Sequence, residues 1–316
     1  MIPERRTWIV ASLGGQGTQG LLKMMRSLAA WVDAVEVRLD LSPPVDLPRL
    51  LTSAPLPVIV TYRPQREGGR YRGKETHRLR VLEEAARLGA AAVDVEWDSS
   101  HLLGNVAPAL RIVSRHFFSG MPADPWAEWQ RLAEKGADVV KIAAYAHTLS
   151  DALRMCELFL QAERPTIVIA MGRAGMISRL LAPFYPSAFL TFGAPDREHG
   201  VAPGQISVQD LHERFHLHRL NPQSTVYGYL APDAIDAERV IEQNRRWQAQ
   251  GGNRVMLPLE PTDEDDVHAV LQRAWELGFS AILVAPPFLR ALGLASDVPV
   301  LVTPSGHVRR VEGNEI

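Results

Sequence analysis

The segment Ala137-Asp-Val-Val-Lys-Ile-Ala-Ala-Tyr145 is a short apolar run with a lysine, Lys141, at its centre. Seven further short runs rich in β-branched residues occur before residue 193, and helical patterns with apolar residues at intervals of three and four separate most of them. The predicted strands are residues 7–12, 34–40, 57–63, 91–97, 111–117, 137–145, 166–171 and 188–192. Because alternating strands and helices favour parallel strands with crossover helices, eight units in ~215 residues predict a (β/α)8 TIM barrel.

The helical patterns and a second unit complete the predicted fold. Helices are predicted at residues 76–88, 99–110, 126–135 and 149–161, and residues 219–225 are interpreted as a linker. Beyond it, strands are predicted at residues 226–230, 254–257, 281–285 and 298–302, with helices at 233–250 and 264–277. The fold class is therefore α/β: a (β/α)8 TIM barrel over residues 1–219, followed by a small α/β domain over residues 225–316.

Composition excludes several classes of protein. Among 316 residues, 34 are Lys or Arg and 36 are Asp or Glu, and a net charge of −2 argues against nucleic acid as a partner. The single cysteine, Cys156, excludes a disulfide framework and a cysteine zinc site. No run approaches the ~18 apolar residues of a membrane span, and the N-terminal residues lack a signal peptide pattern. We therefore expect a soluble cytoplasmic protein.

Ionisable residues occur near the carboxyl ends of the predicted strands, which is the end where a barrel carries its active site. They are Glu36, Arg38, Asp40, Arg63, Asp94, Glu96, His116 and Lys141. Burial lowers the pKa of a lysine and frees its amine as a nucleophile towards carbonyls, so Lys141 is a candidate nucleophile. His116 is a candidate general base. A buried Lys–Glu pair and a hydrogen-bonded core histidine remain the alternatives.

Eight collinear motifs add a family resemblance. They are Glu-Val-Arg-Leu-Asp at 36–40, Thr-Tyr-Arg at 61–63, Glu-Gly-Gly at 67–69, Ser-Arg-His at 114–116, Val-Lys-Ile-Ala at 140–143, Met-Gly at 171–172, Ser-Arg at 178–179 and Ala-Pro-Gly-Gln at 202–205. Together they resemble type I 3-dehydroquinate dehydratase, the Schiff-base hydro-lyase of the shikimate pathway, over about residues 5–218.

The resemblance implies a role for each matching residue. Lys141 would form an imine with the ketone of 3-dehydroquinate, His116 would remove the C2 proton, and Glu67 would orient His116. The substrate-binding positions that it implies are Glu36, Arg38 and Arg63 for hydroxyls, Arg179 for the carboxylate and Gln205 on a mobile loop. It implies a homodimer, and it requires neither a metal nor an organic cofactor.

Two departures from the family pattern keep other functions open. Val201 stands where the family has a serine in the loop, and Phe117 follows the histidine where the family often has an acidic or amide residue. Another Schiff-base barrel, such as an aldolase, also uses a strand lysine. A non-catalytic protein of this fold that binds metabolites of the pathway is the alternative from a different class.

The second unit resembles the substrate-binding half of shikimate dehydrogenase, which some organisms fuse behind this dehydratase. The stretch Val-Tyr-Gly-Tyr-Leu at 226–230 fits that family, but no serine pair follows it. The strand at 281–285 leads to Pro286 and Pro287 without the family's catalytic lysine. We therefore expect no dehydrogenase activity, and a role in packing, dimerisation or ligand sensing.

Two other motifs are less informative. Gly15-Gln-Gly-Thr-Gln-Gly20 matches a dinucleotide-binding pattern, but a first barrel loop explains the same glycines. His212, His216 and His218 form a local cluster, and Glu213 is the nearby carboxylate. Because a stable zinc site usually needs three or four ligands, we interpret the cluster as a surface helix.

Overall fold

The computed structural model describes residues 7–198, 200 and 205–311. Its first eight strands form one sheet in the order β7-β6-β5-β4-β3-β2-β1-β8, and neighbouring strands in this order pair in parallel. A bridge between Thr166 and Ala188 connects β7 to the chain leading into β8. The strands are β1 Trp8–Leu13, β2 Ala34–Arg38, β3 Val58–Thr61, β4 Ala92–Glu96, β5 Leu110–Phe117, β6 Val139–Tyr145, β7 Thr166–Met171 and β8 Leu190–Gly193. The predicted (β/α)8 barrel is confirmed.

Within the described residues eight helices accompany these strands, and those predicted at residues 76–88, 126–135 and 149–161 are among them. They are α1 Thr18–Leu28, α2 Leu47–Ser53, α3 Glu75–Arg87, α4 Pro125–Ala133, α5 Leu149–Cys156, α6 Leu158–Gln161, α7 Ile177–Leu181 and α8 Val208–Glu213. Thr148 and Asp151 form a reciprocal capping box at the start of α5. The predicted helix at 149–161 is two helices, since α5 ends at Cys156.

The predicted helix at residues 99–110 is wrong. This segment contains a short 3₁₀ turn, Ser100–Leu102, and then irregular chain with a turn at residues 107–108 before β5. Gly104 and Pro108 lie inside it, and both residue types are unfavourable in a helix interior. The apolar spacing of the segment instead serves burial, since Leu103, Val106 and Ala109 pack into the core without helical geometry.

The barrel interior consists of layers with different chemistry. Near the amino ends of the strands, buried apolar side chains fill it: Val10, Ala34, Ile59, Ala92, Ile112, Val139, Ile167 and Leu190. Since side chains two positions apart share a strand face, the next layer points inward as well. Six of its members are polar: Ser12, Glu36, Thr61, Asp94, Ser114 and Lys141. Apolar side chains therefore close the barrel at the amino ends of its strands, and polar side chains line it towards the carboxyl ends.

The second unit is a five-stranded sheet with helices beside it. Its strand order is β10-β9-β11-β12-β13, with β9, β10 and β11 parallel and the last two antiparallel. The strands are β9 Thr225–Leu230, β10 Arg254–Leu259, β11 Ala281–Val284, β12 Val300–Val302 and β13 Val308–Arg310, and the helices are α9 Glu238–Ala249, α10 Val267–Glu276 and α11 Pro286–Leu289. The helix predicted at 233–250 begins only at Glu238, after a 3₁₀ turn and Ala237.

The second unit packs directly on the barrel. One continuous apolar core contains Leu180 and Leu181 of α7 together with Val255 and Leu257 of β10. The Tyr185 hydroxyl donates a buried hydrogen bond of 2.8 Å to the Leu277 carbonyl oxygen. The two sheets therefore share hydrophobic burial, which is the dominant favourable contribution to folding.

Candidate active site

A cavity of about 710 Å³ opens at the carboxyl ends of the barrel strands. All eight residues predicted from the sequence to act on a substrate line this cavity: Glu36, Arg38, Arg63, Glu67, His116, Lys141, Arg179 and Gln205. Ser12, Phe118, Tyr145, Met171, Arg173 and Phe192 line it as well. The structure thus brings the predicted residues together from both halves of the barrel.

Lys141 lies in the middle of β6 and points into the cavity. Its Nζ is 2.7 Å from Asp94 Oδ2 and 3.5 Å from Glu36 Oε1, and its side chain is 7% exposed. The ammonium also lies 4.8 Å from the centre of the Phe192 ring. Lys141 is therefore both buried and ion-paired. These surroundings fit a nucleophilic lysine and a structural lysine–carboxylate pair alike.

Asp94 is the functional neighbour that the predicted site omitted. Although burial opposes its ionisation, Arg63 and Lys141 hold the pKa of its carboxyl below the ordinary value. The Ser114 hydroxyl donates to Asp94 Oδ1 at 2.6 Å. The alternation of Asp94 with Glu96 on one strand face was visible in the sequence, but the partner of each carboxylate was not.

Glu36 is held on both of its oxygens. Ser12 donates to Oε2 at 2.5 Å and Thr61 donates to Oε1 at 2.8 Å. Burial opposes ionisation here too, but Lys141 and Arg38 lower the pKa of Glu36. The site thus keeps an ionised carboxylate in a fixed orientation beside the Lys141 amine.

Arg63 is buried and already bound on both terminal nitrogens. Nη2 contacts Asp94 Oδ2 at 2.8 Å and Nη1 contacts Glu96 Oε1 at 2.7 Å. Arg78 extends the network, with Nη1 2.5 Å from Glu96 Oε2. Arg63 therefore fixes the Asp94 carboxylate next to Lys141, in addition to lining the cavity.

Arg38 lies nearer the mouth of the cavity and pairs with Asp40. The pair is bidentate, with Nε and Nη2 at 2.9 and 2.8 Å from the two carboxylate oxygens. Asp40 also accepts hydrogen bonds from the backbone amides of Arg63 and Arg70. This carboxylate therefore ties the end of β2 to the loop after β3.

His116 and Glu67 form a pair across two strand ends. Glu67 Oε2 lies 3.0 Å from His116 Nδ1 and accepts the His116 backbone amide at 2.8 Å. Burial, together with the nearby Arg63 and Lys141 cations, lowers the pKa of His116 well below its ordinary value. A neutral imidazole that donates from Nδ1 to Glu67 leaves Nε2 free to accept a proton from a ligand.

The chain at Glu67 turns in a way that requires glycine. Gly68 has a φ of 77°, and a Cβ added there would lie 2.3 Å from the Phe118 ring. A Cβ on Gly69 would lie 2.0 Å from the Arg63 carbonyl oxygen. The two glycines therefore let Glu67 reach His116, while Phe118 stacks on the His116 ring at 6.0 Å.

Arg179 is a buried cation on α7. Its side chain points into the cavity and Nη1 donates to the Ala170 carbonyl oxygen at 3.0 Å. Burial lowers the pKa of Arg179 to about 10. Within the described ranges no carboxylate pairs with it, and its Nε has no hydrogen-bond partner. A buried, unneutralised guanidinium is suited to an anionic ligand group.

The remaining predictions have mixed outcomes. Gln205 lines the cavity, whereas Val201 lies outside the described residues. Phe117 points away from the cavity and packs under the Arg115 guanidinium, 4.7 Å from the ring centre. Gly15 and Gly17 lie in the loop between β1 and α1, as expected for a first barrel loop.

The histidine cluster forms ring contacts. The rings of His212 and His218 stack with centroids 4.2 Å apart, and Trp31 contacts His212 edge-on. Within residues 7–198, 200 and 205–311, no group of three or more His, Cys, Asp or Glu side chains is placed to hold a metal ion. No helix in the described part of the chain is long and apolar enough to cross a membrane.

Comparison with known sequences identifies similar proteins. The profile of the family described as Type I 3-dehydroquinase matches residues 9–222. The chloroplastic bifunctional 3-dehydroquinate dehydratase/shikimate dehydrogenase of Arabidopsis thaliana is 34% identical over 239 residues, which cover 72% of this chain and 40% of that protein. The 3-dehydroquinate dehydratase of Methanothrix thermoacetophila is 36% identical over 208 residues, which cover 64% of this chain and 88% of that protein.

Comparison with solved structures gives the same result for the barrel and extends it. The type I 3-dehydroquinate dehydratase of Clostridium difficile has a TM-score of 0.60 and 28% identity, covering 67% of this chain and 92% of that chain. A dehydroquinate dehydratase and shikimate dehydrogenase structure from S. pombe has a TM-score of 0.58 and 23% identity, covering 93% of this chain and 59% of that chain. The match to the S. pombe structure extends over the second unit and shows the fold of that unit.

Proposed function

The chain belongs to the Type I 3-dehydroquinase family of hydro-lyases, and from this we propose that its barrel converts 3-dehydroquinate to 3-dehydroshikimate through an imine on Lys141. The observation that carries the proposal is the placement of the Lys141 amine and the His116 imidazole in one cavity. Their strands are adjacent, with Lys141 opposite Ser114 and His116 opposite Ala143 in the register. The chain spans 40% of the length of the Arabidopsis relative.

The reaction begins when the Lys141 ammonium gives a proton to the substrate ketone oxygen and the freed Nζ attacks the ketone carbon, so that the carbinolamine carries the positive charge. Loss of water from the resulting carbinolamine gives a protonated imine, which withdraws electrons from the neighbouring carbon and makes its C–H acidic. Asp94, 2.7 Å from Nζ, can pair with the positive charge of the iminium as it pairs with the ammonium. The pair therefore stabilises the charge that the reaction needs.

Proton transfer is the role of His116. Its free Nε2 takes the proton at C2, and the electron pair moves into the imine to give an enamine. The enamine then expels the C1 hydroxyl, which leaves as water with the proton returned by the imidazolium. Hydrolysis of the imine releases the product and the free lysine, so the sequence removes one water overall.

Arg179 supplies the site for the substrate carboxylate. A planar guanidinium can bind both carboxylate oxygens, and this one has no competing carboxylate among the described residues. Glu36, Arg38 and Arg63 line the same cavity and are proposed to contact the substrate hydroxyls. Gln205 is proposed to contact the substrate from the loop after β8, which would exclude water from the imine.

A continuous ultraviolet assay tests the proposal, because the product is a conjugated enone and absorbs where the substrate does not. We expect turnover by the wild type that falls to background in Lys141→Ala. Lys135→Ala, which changes an exposed lysine shortly before β6, is the matched control and should keep full activity. A folded wild type without turnover would contradict the proposal and support a protein that only binds metabolites.

The aldolase alternative makes a different prediction. An aldolase of this fold also forms an imine on a strand lysine, but it has no need for a buried cation placed to bind a carboxylate. Cleavage of a carbon–carbon bond in other ketones or aldehydes, without dehydration of 3-dehydroquinate, would favour it. The Arg179 environment supports an anionic substrate instead.

The second unit is proposed to lack dehydrogenase activity, and residues 1–219 and 225–316 are proposed as the two domains. A homodimer and a cytoplasmic location rest on the family resemblance and on composition. Light scattering of the purified chain tests the dimer, since a mass twice that of one chain is expected. A mass equal to one chain would refute it.

A further inference from the structure

Arg179, which is proposed to bind the substrate carboxylate, lies on α7, a helix of only five residues. Such a helix has little stability of its own, because its first turn costs more than its few hydrogen bonds return. Its position must therefore come from tertiary packing. One side of α7 contacts β7 and β8, while β10 of the second unit contacts it as well.

The second unit also holds the loop that leads from β7 into α7. Arg173, which lines the cavity, forms a bidentate pair with Glu260, with Nε to Oε1 at 2.6 Å and Nη2 to Oε2 at 3.1 Å. Asp236 Oδ2 accepts a further bond from Nη2 at 3.3 Å. Glu260 follows β10 directly, and the Ile235 backbone amide donates to its Oε2 at 3.2 Å. Its orientation is thereby set within the second unit.

The base of this loop is enclosed by both units. Met176 and Ile177 on the barrel side lie with Ile235 and Pro258 on the other side around a space of about 10 Å³. A space of this size is at most large enough for one water, so the two surfaces are closely packed. Displacement of the loop would disturb this packing.

Further bonds fix the second unit itself against the barrel. Arg273 Nε donates to Ser150 Oγ at 3.2 Å, and its Nη1 pairs with Glu157. Asn244 Nδ2 donates to the Arg214 carbonyl oxygen at 3.0 Å. Because these contacts lie on other helices, loss of the Glu260 pair should leave the second unit in place.

We propose that Glu260 is a positioning residue for the dehydratase, which holds Arg173 and thereby the α7 helix that presents Arg179 to the substrate carboxylate. This inference rests on the proposed function. The second unit would then be part of the substrate-binding apparatus of the barrel, acting within the same chain. Because the substrate carboxylate keeps its charge throughout the reaction, Arg179 binds it alike in the ground state and the transition state, so the effect should fall on substrate binding more than on turnover.

Kinetics of Glu260→Gln test the inference, with Glu264→Gln as the matched control. Glu264 is exposed on the loop that follows β10, so the control removes the same charge from the same unit. We expect KM for 3-dehydroquinate to rise about 3–10-fold in Glu260→Gln, with kcat within about twofold of the wild type. Glu264→Gln should match the wild type in both constants, and both variants should melt at similar temperatures.

A double-mutant cycle tests whether Glu260 acts through Arg173. Arg173→Gln should raise KM by a similar factor, and the Arg173→Gln/Glu260→Gln double variant should be no worse than either single variant. Multiplication of the two KM increases would overturn the inference. An unchanged KM in Glu260→Gln, or a loss of kcat and melting temperature at constant KM, would overturn it too.

Binding without turnover separates this inference from the proposed function. In the Lys141→Ala background no imine can form, so calorimetric titration with 3-dehydroquinate reports non-covalent affinity. We expect Kd to be about 3–10-fold higher with Glu260→Gln than with Glu264→Gln in that background. Equal Kd values would contradict the positioning role, whether or not the wild type catalyses dehydration.

Discussion

The parallel strands of the two sheets carry very different side chains at their carboxyl ends. In the barrel, the layer above the apolar floor is polar and ionised: Ser12, Glu36, Thr61, Asp94, Ser114 and Lys141. In the second unit, the equivalent end of the sheet holds a small apolar cluster of Ala231, Ala234 and Ala285, against which Tyr229 packs. Glu260, which follows β10 at this end, is bound to the barrel's Arg173.

Topology locates a possible site, and the side chains at that location decide whether it is one. Ligands of open α/β sheets commonly bind at the carboxyl ends of the strands, and both sheets offer that location. Only the barrel equips it with a buried amine and a His116–Glu67 pair among the residues described. The second unit uses the same end for contact with its neighbour.

The largest effect within this comparison is expected from removing the proposed base. In His116→Ala the imine can still form, but proton transfer from C2 loses its acceptor, so kcat should fall about 10³-fold. The ultraviolet assay measures the loss, and His101→Ala, at an exposed histidine, is the control. A variant that keeps more than a tenth of wild-type kcat would remove His116 from the mechanism.

Arg179→Met should give the next largest effect. Loss of the guanidinium should raise KM about 10–100-fold with a smaller change in kcat, because a charged hydrogen bond to the substrate is removed. The ligand-free variant should also melt at or above the wild-type temperature, since a buried cation without a carboxylate partner is no longer desolvated.

Arg26→Met, at an exposed arginine on α1, is the control for both measurements. A lower melting temperature together with unchanged KM would show that Arg179 serves the fold of the barrel. In that case the carboxyl ends of the barrel strands, like those of the second unit, would lack a group that binds the substrate carboxylate.

A stability effect is expected from Glu67→Gln. Burial raises the pKa of the Glu67 carboxyl to about 7 from an ordinary 4.5. A raised carboxyl pKa means that the protonated form is favoured in the folded state. The contribution of protonated Glu67 to the free energy of unfolding is therefore present below pH 4.5 and is lost as the pH rises through 7. Glutamine does not titrate, so the variant should gain stability relative to the wild type, by at most about 3 kcal/mol, between pH 5 and pH 8.

Chemical denaturation at the two pH values measures this difference, and Glu264→Gln provides the matched exposed control. The same stability difference between Glu67→Gln and wild type at both pH values would show that the carboxyl titrates normally. Burial of the ionised Glu67 carboxylate would then cost no stability, and its pairing with His116 would need another explanation.

The last prediction is that the second unit has no dehydrogenase activity. Shikimate and NADP+ should give no NADPH above a blank, because Ala231, Ala234 and Ala285 at its strand ends carry no acid, base or cation, and Glu260 beside them is bound to Arg173. A signal that survives Lys141→Ala and rises with protein concentration would show dehydrogenase activity in the second unit. The carboxyl ends of its strands would then form a separate active site.

The sequence predicted most of the fold because its signals are local. Each barrel strand is a short β-branched run, and the period of two put the residues of β2 and β4 on the correct inward face. The prediction failed at residues 99–110, where apolar spacing outweighed Gly104 and Pro108. Strand ends were placed up to two residues too far, since the charged residues there belong to loops.

The site could be predicted as a set of residues and one pairing, Glu67 with His116, which the family resemblance implied. The structure places all eight residues in one cavity, but the other pairings depend on distances that residue spacing does not encode. Asp94 was seen on its strand and omitted from the site, although it is the ion-pair partner of Lys141. The bond between Arg173 and Glu260 joins residues far apart in the chain, and nothing local signals it.

Borohydride reduction shows directly whether the imine forms on Lys141. The chain has four lysines, and Lys23, Lys74 and Lys135 are exposed whereas Lys141 is buried in the cavity. Reduction in the presence of 3-dehydroquinate, followed by intact mass and peptide mapping, should show one adduct per chain on Lys141 and none in Lys141→Ala. The absence of an adduct on a wild type that turns substrate over, or an adduct on another lysine, would contradict the imine at Lys141.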